Sequence, residues 1–184
     1  HGKVWGLVIG GDGEGYRWKK RDYQQLCEVF VSQASKSGVG VWIATSRRTP
    51  PDAEQSIRKM AMESGISIAN SFYHGRDGLT KPLGVMMAAC SRLCVTADSM
   101  SMTHEAVSTG TQVFVVSPGE GGNPRLAGNL KRLEESGFVV LQGLDTLDVS
   151  DAEPTSGWKR LCGDPTMPLA ERVLGLFGKE GLAS

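Results

Sequence analysis

Short runs rich in β-branched residues alternate along the chain with longer stretches of helical periodicity, and this alternation limits the possible folds more than any other feature. Residues 4–9, 39–44, 66–69, 93–96, 113–116 and 138–141 form six candidate strands. Helical spacing of apolar positions covers residues 23–35, 53–63, about 82–89, a stretch from about residue 102, and 126–136. The strand runs are almost entirely apolar, without clean alternation, as expected where a strand is covered on both faces. The implied architecture is α/β, a doubly wound, mainly parallel sheet of about six strands in a single Rossmann-like domain. From residue 142 to 168 the chain turns polar, with Pro154, Pro165 and Pro168, and helical spacing returns only at 169–177. Residues 142–184 are therefore expected to form a polar tail across the domain surface, closed by a terminal helix.

Charge and cysteine usage exclude several classes of function. Twenty Lys and Arg balance twenty Asp and Glu, so no global field draws the chain to nucleic acid. The longest apolar run, residues 83–90, is far short of the ~20 residues that span a bilayer, and no integral membrane segment or signal peptide is expected. Cys27, Cys90, Cys94 and Cys162 show no CxxC spacing, and only His1, His74 and His104 could supplement them, so no metal site is expected. Three of these cysteines fall within apolar periodic stretches, which suits reduced core thiols and a cytoplasmic location, at most peripheral to a membrane. The chain starts at His1 without Met, as expected of a processed chain or of a piece of a longer one.

Ligands of such sheets bind beyond the carboxyl ends of the strands, which directs attention to the loops. The first, GGDGEGYRW at residues 10–18, belongs to a chain in which 24 of 184 residues are glycine, roughly twice the usual share. It has the glycine spacing of a Walker A loop, but Tyr16 stands where Lys is required, and Tyr16 also breaks the GxGxxG pattern. Gly10, Gly11, Gly13 and Gly15 still permit backbone amides to converge on an anion; the alternative is a plain hairpin-like turn. The second loop, TSRRTPP at residues 45–51, offers Arg47, Arg48 and the hydroxyls of Thr45, Ser46 and Thr49 as anion donors, or is a solvated basic turn. An NADP enzyme would also use an arginine here, but lacks its glycine loop in this chain.

The most informative stretch is VTADSMSMTHEAVSTG, residues 95–110, where a strand runs into small and hydroxyl residues and a helix starts near Ser101 or Met102. Free amides at such a start, backed by the helix dipole, suit a diphosphate, and Glu105 slightly further on can accept both hydroxyls of a ribose. Asp98, Ser99 and Ser101 equally fit simple capping, and Glu105 a carboxylate held by the dipole. His104 reads as a packing or capping residue, His74 as part of a solvated turn, and Met86, Met87, Met100 and Met102 as core or pocket wall. A GxSxG nucleophile elbow is absent.

Together, VIGGDGEGYRW, TSRRTPPDAE and VTADSMSMTHEAVSTGTQVFVV resemble the Elm-type family over roughly residues 4–140. Its plant members are mitochondrial fission proteins, and its bacterial members carry the names of glycosyltransferases or nucleotide-sugar epimerases. That family in turn is similar to the C-terminal, donor-binding half of GT-B glycosyltransferases. The resemblance implies a nucleoside diphosphate sugar, of the UDP type, as ligand. It implies Glu105 at the ribose, and Asp98, Ser99, Met100, Ser101 and Met102 around the diphosphate. Gly10, Gly11, Asp12, Gly13, Thr45, Ser46, Arg47 and Arg48 would then face the same cleft. It implies no cofactor, and an N-terminal domain, outside this sequence, that carries the acceptor site and the catalytic base. Where family members have Asn-Pro-Tyr before the third helix, this chain has Lys81, Pro82 and Leu83. Two other functions remain open, a non-catalytic interaction module with the tail and Trp158 as its surface, and an epimerase-like enzyme.

Overall fold

The computed structural model describes residues 4–64, 68–72, 82–119, 121–150 and 157–159. The strands are β1 (Val4–Ile9), β2 (Gly40–Thr45), β3 (Ile68–Phe72), β4 (Arg92–Thr96), β5 (Gln112–Ser117) and β6 (Val139–Gly143). The helices are α1 (Lys20–Lys36), α2 (Pro51–Glu63), α3 (Pro82–Ala89), α4 (Met100–Ser108) and α5 (Pro124–Glu135). The six strands lie in the order β3-β2-β1-β4-β5-β6, and every pairing is parallel. The strand order reverses between β1 and β4, the position at which doubly wound sheets open a crevice at their carboxyl edge.

The helices form where pattern and caps agree. In α1, Tyr23, Leu26, Cys27, Phe30, Val31 and Ala34 recur at three- and four-residue intervals, and all are buried, giving one continuous apolar stripe. Pro51 opens α2 and Pro124 opens α5, where the missing N–H has no intrahelical partner to lose. Asn123 caps α5 by accepting from Arg125 N at 2.9 Å.

Two apolar clusters sandwich the sheet. On one face, Leu7, Ile9, Ile43 and Phe114 pack with Leu26, Phe30 and Ile57 of α1 and α2. On the other, Val8, Val95 and Val115 meet Met86, Met87, Ala106 and Leu130 of α3, α4 and α5. Each fully buried side chain of this size stabilises the fold by about 1.5–3 kcal/mol before chain entropy is set against it. Cys27, Cys90 and Cys94 are free thiols in this interior.

Two boundaries differ from the sequence expectation. The third strand, described over Ile68–Phe72, runs further than the expected 66–69, with Ala44 of β2 pairing Phe72, while residues 66 and 67 lie outside the described residues. The first residues of the stretch expected to cross the surface as a polar tail from residue 142 instead pack into the fold. Gln142 and Gly143 pair with Val116 and Ser117 of β5. Leu144, Leu147 and Val149 are then buried. Gln33 on α1 holds this segment from both sides of its amide, donating to Leu147 O at 2.7 Å and accepting from Val149 N at 2.7 Å. Arg92 stacks over Trp5, 5.2 Å from the ring centroid, and donates to the carbonyls of Val149 and Ser150. Trp158 sets its ring edge against Phe114 with 5.4 Å between centroids, so its partly buried indole packs against the core. Cys162 and the helix expected at 169–177 lie outside the described residues, as do His1 and His74. Among the described residues no helix is long and apolar enough to cross a membrane.

Candidate functional site

The loops after β1, β2 and β4 converge at the switch point around one buried carboxylate. The Asp98 side chain is fully buried, at 0% exposure, with Oδ2 2.5 Å from Nη2 of Arg48. Arg48 Nη1 also donates to Asp98 O at 3.3 Å, and Gly11 N donates to Asp98 Oδ2 at 3.2 Å. Beside this pair, Gly10 N donates to Thr96 Oγ1 at 2.7 Å. The Asp98 carboxyl lies above the usual carboxylate range, first because burial disfavours its charge. Hydrogen bonds from Thr96 and Gly11 and the Arg48 guanidinium pull the other way.

This arrangement explains the glycines. A Cβ on Gly10 would stand 2.1 Å from Asp98 Oδ2, one on Gly11 2.2 Å from Arg48 O, and one on Gly13 2.5 Å from Arg48 Nη1. The amides of Gly10, Gly11 and Gly13 bond Thr96, Asp98 and Tyr16 O. The glycine-rich stretch therefore does not present these three amides as an anion nest; its glycines let β1 approach the Arg48–Asp98 pair. Past Gly13 the chain closes a hairpin, with Gly13 and Tyr16 bridged and Glu14 and Gly15 at φ 51° and 87°. Positive φ at both central residues defines a type I′ turn. Glu14 is the one non-glycine residue of the described chain with positive φ, at a cost of about 1 kcal/mol.

A cleft of about 510 Å³ opens above the pair, lined by Glu14, Ser46, Arg47, Arg48, Leu83, Asp98, Ser99, Met100, Ser101, Met102 and Glu105. That volume lies within the ~300–1,000 Å³ of small-molecule sites. Ser99 caps α4, its Oγ accepting from Met102 N at 3.4 Å and lying 3.1 Å from Ser101 Oγ. Glu105 is exposed on the second turn of α4. Arg47 is exposed and has no ion pair or hydrogen bond among the described residues. Leu83, Met100 and Met102 supply an apolar wall.

Of the residues singled out from sequence, the structure brings Ser46, Arg47, Arg48, Asp98, Ser99, Met100, Ser101, Met102 and Glu105 to this cleft. Gly10, Gly11 and Gly13 pack below it. Asp12 folds back on its own loop, accepting from Trp18 N at 2.8 Å and pairing with Arg17 at 3.4 Å. The Thr45 hydroxyl bonds Glu54 at 3.3 Å, and Thr49 donates to Gly10 O at 2.6 Å. Of the three hydroxyls expected as anion donors in the second loop, only Ser46 faces the cleft. His104 is exposed on α4 and does not line it. Sequence reasoning missed Glu14 and Leu83. A carboxylate at a hairpin tip where glycine or asparagine is favoured was the signal for Glu14.

A six-stranded parallel sheet with a ligand-sized cleft over its switch point defines a Rossmann-like α/β protein. The chain belongs to the family described as mitochondrial fission ELM1, whose model matches residues 1–159. No curated protein matches it. Among solved structures it is similar to the molybdenum cofactor carrier protein of Chlamydomonas reinhardtii, with a TM-score of 0.51 at 11% identity, covering 95% of this chain and 99% of that one. The MAR1 ribonuclease of Caenorhabditis elegans matches with a TM-score of 0.48 at 9% identity, covering 78% of each chain. The first likeness, at such identity, shows the fold.

Proposed function

We propose that this cleft binds the nucleoside diphosphate of a nucleotide-sugar donor, and that the chain is the donor-binding half of a GT-B-type glycosyltransferase. The observation that carries the reading is that the start of α4, with the Ser99 and Ser101 hydroxyls, shares one cleft with the unpaired Arg47, while Glu105 lies about one turn further along the helix. Backbone amides at a helix start and a free guanidinium are complementary to a diphosphate. A carboxylate one turn on is complementary to the two hydroxyls of a ribose. Arg48 holds the wall of the site through Asp98, and Arg47 is left to meet the ligand.

In glycosyl transfer, the bond from the sugar to the diphosphate breaks and negative charge grows on the leaving phosphate. Arg47 and the α4 amides stabilise that charge, each charged hydrogen bond contributing about 1.5–3 kcal/mol. The acceptor and the base that takes its proton belong to a second domain in this reading.

Calorimetric titration of the chain with UDP, GDP, ADP and CMP tests it. One nucleoside diphosphate is expected to bind with micromolar to millimolar affinity, about −4 to −8 kcal/mol, and Glu105→Ala is expected to weaken it. Silence from all four, repeated with the full-length protein, overturns the donor reading in favour of a binding module without a nucleotide.

A further inference from the structure

We infer that Glu14 is the residue that reads the sugar of the donor, accepting hydrogen bonds from its hydroxyls and making the site prefer a nucleoside diphosphate sugar to the free nucleoside diphosphate. The inference rests on the donor-site reading above and extends it to a further residue lining the same cleft.

Glu14 sits at the first central position of the type I′ turn with φ 51°, a conformation that favours glycine, asparagine or aspartate. The surrounding chain fixes that turn on both sides. Gly13 lies against Arg48 and the Asp98 carbonyl. Glu14 O accepts from Asn123 N at 2.5 Å, and Gly15 lies against the Gly122–Asn123 backbone. The side chain has no hydrogen-bond or ion-pair partner among the described residues, is exposed, and lines the cleft. Neither packing nor turn chemistry accounts for a glutamate here.

The charge pattern along the cleft supplies the account. Glu14 follows directly on Gly13, where an added Cβ would stand 3.2 Å from the Asp98 carbonyl just before α4; Ser99, Ser101 and Glu105 follow along α4, and all of them line the cleft with Glu14. From Ser99 to Glu105 the helix advances about 9 Å, at ~1.5 Å per residue. Carboxylate, anion donors and carboxylate thus succeed one another. A nucleoside diphosphate sugar has the matching order of uncharged polyol, dianion and uncharged polyol. Free nucleoside diphosphate presents a terminal phosphate where the sugar would be, and Glu14 would face that charge with its own. Hydroxyls of a sugar donate to the same carboxylate.

The test is titration of wild type, Glu14→Gln, Glu14→Gly and Glu105→Ala with UDP, GDP and ADP and with their glucose conjugates. Wild type is expected to favour one glucose conjugate over its free diphosphate by about tenfold, one charged hydrogen bond's worth. Glu14→Gln is expected to erase most of that preference, partly by tightening the free diphosphate. Glu14→Gly should do the same while raising the melting temperature, so a folding defect cannot explain the loss. Glu105→Ala should weaken both ligands alike and leave their ratio intact. An unchanged ratio in Glu14→Gln, with wild type binding both ligands, overturns the inference and leaves the donor site standing. Absence of binding by wild type to every ligand overturns both.

Discussion

Nη2 of Arg48 stands 2.5 Å from Oδ2 of Asp98, and through that contact the loop after β2 is tied to the loop after β4 while Gly11 of the β1 loop bonds the same oxygen. The carboxylate is fully buried and the guanidinium 39% exposed, so the pair is neither a surface bridge nor a sealed interior one. Its neighbour Arg47 has no such partner among the described residues. Two adjacent arginines in one motif therefore do different work.

Arg48→Ala should destabilise the fold by about 2 kcal/mol, below the 3–5 kcal/mol for breaking a sealed pair because solvent partly screens Arg48. Arg47→Ala should stay within about 0.5 kcal/mol of wild type and, on the proposed donor-site reading, weaken nucleotide binding. Urea denaturation of both variants separates them, and equal destabilisation would refute the division of labour.

Glycine replacement has a sharp positional signature. Gly10→Ala drives a methyl into the Asp98 carboxylate and Gly11→Ala drives one into the Arg48 backbone, and each should cost about 1–3 kcal/mol or more. Gly128 on α5 has nothing within 4 Å of its added Cβ. Gly128→Ala should stabilise by about 0.5–1 kcal/mol. Melting temperatures of the three variants report this directly.

Asp98 also carries a pH signature. Burial raises its carboxyl above the usual range, so the folded chain keeps this proton to higher pH than the unfolded chain does. The group's contribution to stability is full below the ordinary carboxylate pKa and is lost as pH rises through the raised folded value. Asp98→Asn removes the titration. The stability of the variant relative to wild type should therefore climb as pH rises above the ordinary carboxylate pKa of about 4, measured by denaturation at stepped pH, and a flat difference would contradict the raised carboxyl.

Burial pushes the thiols of Cys27 and Cys90 up to about 12 and raises that of Cys94 as well. Thiolate is the reactive form. In the native protein at about pH 8, iodoacetamide should leave all three unmodified, and denaturant should expose them together. Mass spectrometry of native and unfolded samples checks this.

The sheet was legible because its signals are local. Runs such as residues 113–116 are apolar at every position, which only a strand covered on both faces requires, and Phe114 and Val116 indeed face one cluster while Val113 and Val115 face the other. The stripe on α1 carries its own 3.6-residue period. Ser99 and Glu105 were legible for a related reason, since a cap and a carboxylate less than two turns later lie on one element. Boundaries set by a neighbour were harder to read. The third strand follows the register of β2, and the segment after β6 looks polar until Leu144, Leu147 and Val149 are seen to bury between charged residues.

The sequence by itself determined the order and type of the elements, the parallel sheet they build, and the edge at which a ligand site would lie, because hydrophobic period and capping act over a few residues. Only the tertiary structure decided what the loop residues do. Asp12 turns back to Trp18, Thr45 turns to Glu54, Gly10 and Gly11 make room for the half-buried Arg48–Asp98 pair, and Glu14 lines the cleft. Asp12 and Thr45 find their partners six and nine positions away, but the contacts that build the site floor, Thr49 to Gly10 and Gly11 to Asp98, join residues 39 and 87 positions apart. No local pattern encodes such a distance, which is set when the sheet brings three strand ends together.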